Sequence, residues 1–247
     1  MSDLSRFPTA SPELFVARGL LSRVDTKFLM HRSEFSDFLR RLAPDDYAIA
    51  RHDGDEGFDY ESIYLDTPNR QLLKDHHRGR RPRHKVRIRH HLTRGLTFFE
   101  VKQKQSSDAT LKHRHELPFR TERLDEDAKA LLANRPYLYG GDLEPAMRIG
   151  FQRFMLLGEE HEERVTIDHA LWFRDSSRED AMSDAMIVEV KQARYAARSP
   201  VMLALRGAGA TRIRFSKYIT GAHSLWPSIR LNRYRGRMRR IARRIHQ

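Results

Sequence analysis

The 247-residue chain carries 46 Lys and Arg against 33 Asp and Glu, a formal net charge of +13, with 39% hydrophobic residues. This composition supports a folded domain with a real core and points to an anionic partner. The absence of cysteine excludes disulfides, thiolate catalysis and Cys-ligated zinc, and no apolar run reaches the roughly 18 residues of a membrane-spanning helix.

Residues 1–12, with Ser, Thr and Pro and little apolar periodicity, read as a mobile lead-in to a single domain over 13–227. The start has no basic stretch followed by an apolar run, so no cleaved secretion signal is expected, and the reading is a cytoplasmic protein, soluble or peripheral at the membrane. Alternation of apolar and polar residues predicts a strand over 22–31, and Ser33 is placed to cap a helix over 33–42. Further strands are predicted over 58–66, 83–92, 96–104 and 110–118, then a helix over 122–133. Strands over 146–157, 163–173 and 185–193 follow, then helices over 200–208 and from Ser216 to before Pro227.

The last segment, 228–247, holds eight arginines from Arg230 onward, with Tyr234, Met238, Ile241 and Ile245 at steps of four, three and four. One helical face is apolar and the rest cationic. Such a helix either packs partly on the domain or docks on anionic lipid or nucleic acid. The expectation is that it brings the domain to the inner face of a membrane, beside an integral protein or on the anionic surface itself.

Along the predicted strands one face is charged. Arg23, Asp25 and Lys27 share a face, as do Lys85, Arg87 and Arg89; Glu100, Lys102 and Lys104; Lys112, Arg114 and Glu116; Arg164, Thr166 and Asp168; and Glu189 with Lys191. These faces hold eleven Lys or Arg and five Asp or Glu, whereas the wet side of an ordinary sheet mixes signs so that neighbours attract. If about eight antiparallel strands close into a barrel with charged faces inward and helices outside, an α+β fold results whose interior is a cationic tunnel for a polyanion. Glu100 and Glu189, each two residues before a Lys, are candidates for internal ion pairs or for a divalent cation that takes its remaining ligands from phosphate and water.

In order along the chain, RVDTK (23–27), SIYLDT (62–67), KVRIR (85–89), FFEVKQK (98–104), LKHR (111–114), RVTID (164–168), VEVK (188–191) and FSKY (215–218) resemble the VTC domain. This is the polyphosphate polymerase module of the vacuolar transporter chaperone, within the triphosphate tunnel (CYTH-like) superfamily. The resemblance spans roughly 20–225. It implies an eight-stranded antiparallel tunnel that binds ATP with manganese or magnesium and transfers the terminal phosphoryl group onto a growing polyphosphate chain. It implies phosphate contacts from Lys27, Arg87, Arg89, Lys102, Lys112, Arg153, Arg164, Lys191 and Lys217, with Arg87, Arg89 and Lys217 at the reaction, and Glu189 on the metal. Lys85, Lys104 and Arg114 join this set as neighbours on the same charged faces, and Glu100 joins Glu189 as a candidate metal ligand. Hydrolytic relatives of similar fold open with Glu-x-Glu-x-Lys; here Arg23 takes the first position, one metal-binding carboxylate is missing, and polymerase leads over triphosphatase. Phe28 and Phe151 stand where tyrosine is more usual.

Other chemistries find less support. The thirteen histidines show no two-His helical metal spacing, no Gly-x-x-x-x-Gly-Lys phosphate loop occurs, and no Gly-x-Ser-x-Gly elbow is present. Nucleic-acid binding is the rival from a different class, but few aromatic residues stand on the charged faces for base stacking. A non-catalytic sensor of polyphosphate or inositol phosphates is a third possibility.

Overall fold

The computed structural model describes residues 4–19, 23–106, 110–133, 143–229 and 231–245. Its elements are α1 (Pro12–Ala17), β1 (Val24–His31), α2 (Phe35–Arg40), β2 (Tyr47–Ile49), β3 (Phe58–Asp66), α3 (Gln71–Arg78), β4 (Arg83–His91), β5 (Leu96–Lys104) and β6 (Thr110–Leu117). Then come α4 (Glu126–Ala133), β7 (Glu144–Gly158), β8 (Glu163–Arg174), β9 (Glu179–Met182), β10 (Ala185–Gln192), α5 (Pro200–Gly207), β11 (Thr211–Arg212), α6 (Lys217–Leu225) and α7 (Asn232–Ile245).

One antiparallel sheet of eleven strands organises the chain, in the order β11-β1-β10-β8-β7-β3-β4-β5-β6, with β2 beside β7 and β9 beside β8. All eight predicted strands are present. Closure into a barrel is not shown: among the described residues no hydrogen-bonded pair joins β6 to β1 or β11, and the described sheet is a curl. The extra strands, β2, β9 and β11, are too short to show a period.

Alternation decides where the core lies. Phe28, Val165, Ile167, Val188 and Val190 point outward and bury against Phe38 and Leu39 of α2 and Val201 and Leu205 of α5. On the other half, Ile63, Val86, Ile88, Phe99 and Val101 pack with Ala128 of α4. Phe28 therefore belongs to the outer core and not to the charged face.

The concave side is divided. One half carries Leu29, Tyr64, Ile149, Phe151, Phe173 and Ile187, and helix α6 lies on it with Tyr218, Ile219 and Ala222. Close approach requires Gly221, where a Cβ would stand 2.5 Å from Met147 Sδ and 2.6 Å from Phe173 Cδ1. The cationic tunnel expected through the whole interior is thus confined to the half that α6 leaves open.

Two further expectations are corrected. Leu4 and Phe7, each 1% exposed, pack in the outer core, and Ala10 N donates to Ile49 O at 2.9 Å, so the expected mobile lead-in is folded over its described residues. The last segment forms α7, as its period predicted, but Met238 and Ile241 are buried in the core that α6 also joins. The apolar face proposed for docking on lipid is already occupied by the domain itself; Arg230 lies outside the described residues.

Candidate active site

On the open half of the concave face, three carboxylates each hold two cations. Register creates the first group: Arg87 of β4 lies opposite Glu100 of β5, which in turn lies opposite Arg114, one turn of the pleat from Lys112 on β6. Arg87 reaches Glu100 Oε2 through Nε at 2.6 Å and Nη2 at 2.5 Å, and Lys112 Nζ reaches Oε1 at 2.5 Å. Arg87 Nη1 also donates to Tyr64 Oη at 3.1 Å.

The second group centres on Asp168 of β8, which is 4% exposed. Arg153 of β7 grips it bidentately at 2.6 and 3.0 Å, and Lys217, the first residue of α6, bonds its Oδ2. The N-cap Ser216 starts α6 here, accepting from Ile219 N, so helix initiation itself delivers Lys217. The third group is Glu189 of β10, 3.0 Å from Lys191 and 3.6 Å from its cross-strand partner Lys27.

Arg89 lies between the first two groups, donating to Ser62 Oγ at 3.0 Å. Arg89 and Arg153 both lie over the Tyr60 and Phe151 rings, 5.2 to 5.8 Å from the centroids, and Lys217 is 4.1 Å from Phe151. These rings hold cations in place; they are not free platforms for bases. Lys85 and Lys102 complete the surround, and Lys85 Nζ donates across the curl to Ser216 Oγ at 3.0 Å.

Charge balance follows from the count. Lys27, Lys85, Arg87, Arg89, Lys102, Lys112, Arg153, Lys191 and Lys217 are nine cations against the three carboxylates Glu100, Asp168 and Glu189, with Arg23 and Asp25 paired at the rim at 2.9 Å. Burial opposes ionisation of Glu100, Asp168 and Glu189, yet their adjoining Arg and Lys hold all three well below the usual carboxylate range. The cations bear the strain. Burial and Lys102 and Lys27 push Lys85 well down, burial and Arg87 lower Arg89 to about 10, and burial and Arg153 bring Lys217 down to about 7 against the pull of Asp168.

A lysine titrating near neutrality gains a proton when a bound polyanion raises its pKa. Tripolyphosphate binding at pH 8 is therefore expected to take up about one proton at Lys217, and affinity falls as pH rises through about 7. Calorimetry in two buffers of different ionisation enthalpy measures this; Lys217→Met loses that uptake if the assignment is right, and unchanged uptake refutes it.

The predicted residues do not all converge. Arg114 stacks on Phe98 at 3.2 Å from the ring centroid, and Lys104 lies at the end of β5 opposite Thr110. Arg164, by contrast, is opposite Lys191 in register and stands within the field of Arg153 and Glu189, with its Nε buried without a hydrogen-bond partner. Sequence reasoning placed Asp168 on a charged face but gave it no role, and it overlooked Tyr60 and Ser62, whose strand FDYESIYLD (58–66) showed alternation but no cationic face. Among the described residues no group of three or more His, Cys, Asp or Glu gathers. Glu100 has both oxygens engaged within 2.6 Å, which favours the internal ion pair; Glu189 holds Lys191 on Oε2 at 3.0 Å and has Lys27 3.6 Å from Oε1, so Oε1 is the less tightly held of its two oxygens and the one open to a cation.

A cavity of about 1260 Å³ opens from Lys27, Lys85 and Lys102 toward α7. The curled sheet thus sets an excess of cations on its concave face beside a cavity lined by further Lys and Arg, an arrangement suited to an anionic ligand. The model of the VTC domain matches residues 22–226, and the chain belongs to the VTC domain family. Membership places it among domains of triphosphate and polyphosphate chemistry. Among solved structures it is similar to a candidate adenylate cyclase from Bacillus halodurans, at 14% identity and TM-score 0.47, covering 79% of this chain and 94% of that one. It is also similar to a Hippeastrum protein titled as showing a dominant triphosphatase activity, at 12% identity and TM-score 0.47, covering 82% and 96%. A conserved hypothetical protein from Pyrococcus furiosus matches at 14% identity and TM-score 0.45, covering 80% and 99%. Comparison with curated proteins finds no match. No helix among the described residues is long and apolar enough to cross a membrane.

Proposed function

We propose that the domain is a polyphosphate polymerase, transferring the terminal phosphoryl group of ATP onto a growing polyphosphate chain with manganese or magnesium. The observation that carries this reading is the set of nine cations against three carboxylates on one concave face, of which Lys27, Lys85 and Lys102 also line the adjoining cavity. Such an excess is costly without an anion, since buried like charges lose hydration and repel.

Phosphoryl transfer asks a protein mainly for in-line positioning and neutralisation of charge. Arg87, Arg89, Arg153 and Lys217 converge from β4, β7 and α6 and bind the phosphate oxygens. Glu100 and Asp168 do not touch substrate in this reading; they orient the guanidinium forks and prevent their mutual repulsion from spreading them. Lys27, Lys85 and Lys102 hold the chain along the cavity. Glu189 is the residue that would hold the divalent cation, which when bound supplies further neutralisation of phosphate charge. Because guanidinium groups already cover Tyr60 and Phe151, base recognition has little purchase, which weighs against nucleic acid as substrate.

Purified protein given ATP and manganese is expected to form long-chain polyphosphate and ADP, resolved by gel electrophoresis. Arg89→Ala, Lys217→Ala and Glu189→Gln are each expected to lower the rate by about 100-fold or more. Release of free phosphate without polymer would support a triphosphatase of the same fold, and thermal stabilisation by polyphosphate without turnover would support a sensor; either outcome overturns the polymerase reading.

A further inference from the structure

Helix α7 lies beyond the residues that match the family, yet it forms a wall of the cavity. Its two stripes are offset by one residue. Tyr234, Met238, Ile241 and Ile245 pack on the domain, while Arg233, Arg237, Arg240 and Arg244 line the cavity. At 1.5 Å per residue the cationic stripe runs about 16 Å. Across the space stand Arg212 and Arg214 and, deeper, the site residues Lys27, Lys85 and Lys102. In all, twelve Lys and Arg line the cavity against one carboxylate, Asp25.

The ends of the stripe are pinned. Arg233 Nη1 donates to Arg78 O at 2.9 Å, and Arg244 donates to Glu34 and, at 3.0 Å, to Gly209 O. The middle is different: Arg237 rests over Tyr234 at 4.8 Å, and burial and then the nearby Arg214 and Arg240 lower its pKa, against which only Tyr234, and no carboxylate, acts. A helix docked by its apolar stripe, with its open arginines aimed along a cavity that continues into the site, offers a track for a repeating anion.

We propose that Arg237 and Arg240, with Arg214 opposite, hold a linear polyphosphate chain outside the reactive cluster, so that α7 retains the polymer while its end stays at the site. This rests on the phosphoryl-transfer reading above. A chain of identical phosphates matches a row of guanidinium groups with no need for base or headgroup recognition, and each contact releases counterions.

The test compares wild type with the double variant Arg237→Gln/Arg240→Gln, binding tripolyphosphate and long-chain polyphosphate over a range of salt. Long-chain affinity is expected to fall about tenfold and its log-salt slope to shrink by about two, while tripolyphosphate affinity stays within about twofold. With ATP, the products become shorter. Arg237→Lys/Arg240→Lys keeps the charges and is expected to retain long-chain binding, which separates charge from folding. Equal loss for both ligands, or no loss, overturns the track, as does a larger loss toward single-stranded RNA or phosphatidylserine vesicles than toward polyphosphate. A wild type that makes no polymer from ATP sinks the polymerase reading yet leaves the two-ligand binding comparison decisive for the track; polymer formation with unchanged long-chain binding in the double variant sinks the track alone.

Discussion

Asp168→Asn is expected to lower ATP-dependent turnover by about 100-fold or more and to cost about 3 kcal/mol of stability, seen as a melting temperature about 6–12 °C lower. Asp168 is nearly inaccessible and is shared by Arg153, through two hydrogen bonds of 2.6 and 3.0 Å, and by Lys217. Neutralising it leaves two cations facing each other beside Phe151 without a counterion. Breaking a buried pair from one side costs more than the pair contributes as a whole, because the abandoned charge remains desolvated.

The variant can relieve this stress by releasing the Lys217 proton, and that sets the pH dependence. In the wild type Lys217 is already down at about 7, with Asp168 resisting the fall. Without Asp168 its folded pKa drops further, while the unfolded value stays near 10.4. Between the two folded values the variant has lost a proton that the wild type keeps, so the stability gap is widest below both, narrows as pH rises toward 7 and is constant above it. Destabilisation is therefore expected to be larger at pH 6 than at pH 8. Tripolyphosphate should restore part of it by mass action, taking the place of the missing carboxylate. Melting curves of the two proteins at both pH values check this; coincident curves would show that Asp168 carries no such strain. A loss of stability with tripolyphosphate binding unchanged would leave Asp168 a structural residue that does not position the phosphate-binding cations.

How much of this arrangement was legible depends on the length scale of the signal. Strand alternation reports which side chains share a face, and Lys85, Arg87 and Arg89 do lie on the concave side with Lys27 and Glu189. The N-cap Ser216 marked the start of α6, and with it the position of Lys217. Alternation does not report strand order. Arg87 opposite Glu100, and Lys27 opposite Glu189, are properties of register between strands and emerge only when β4 pairs with β5 and β1 with β10. Nor does it report what fills the curl: Tyr218 and Ile219 have the spacing of any amphipathic helix, and only tertiary packing puts α6 inside. For the basic tail the sequence left two surfaces open to its apolar stripe, because a helical period cannot say whether the greasy face meets lipid or the parent domain; packing on the domain is what the structure shows. Helix α3 was missed for a local reason. It is eight residues long and starts behind Arg70 in the left-handed region at φ 59°, with no side-chain cap at that position.

The cap of α3 comes instead from Asp66, and its removal has the second large expected effect. Asp66 is completely buried and its carboxylate accepts from Thr67 N and Leu72 N at 2.8 Å, Leu73 N at 3.0 Å and Tyr218 Oη at 2.5 Å. One carboxylate at the end of β3 thus starts α3 and ties down α6, where Tyr218 stacks on Tyr64 at 4.8 Å. Asp66→Ala strands these donors in a dry interior, and at about 1–3 kcal/mol for each unsatisfied group, part of it recovered by relaxation, the loss is expected to be about 4 kcal/mol. Asp66→Asn keeps one acceptor oxygen and should lose about half as much, whereas Tyr218→Phe removes a single donor and should cost about 1 kcal/mol. Because Tyr218 follows Lys217 directly, the same tether sets where that lysine stands. In a double-mutant cycle the effects of Asp66→Asn and Tyr218→Phe should fall short of additive by about 1 kcal/mol, in denaturant stability and in the free energy of tripolyphosphate binding alike. Additivity in the binding measurement, with coupling in stability alone, would mean that α6 holds its place over the sheet by Gly221 and its apolar contacts, and that the Asp66 bond contributes to the fold but not to the site.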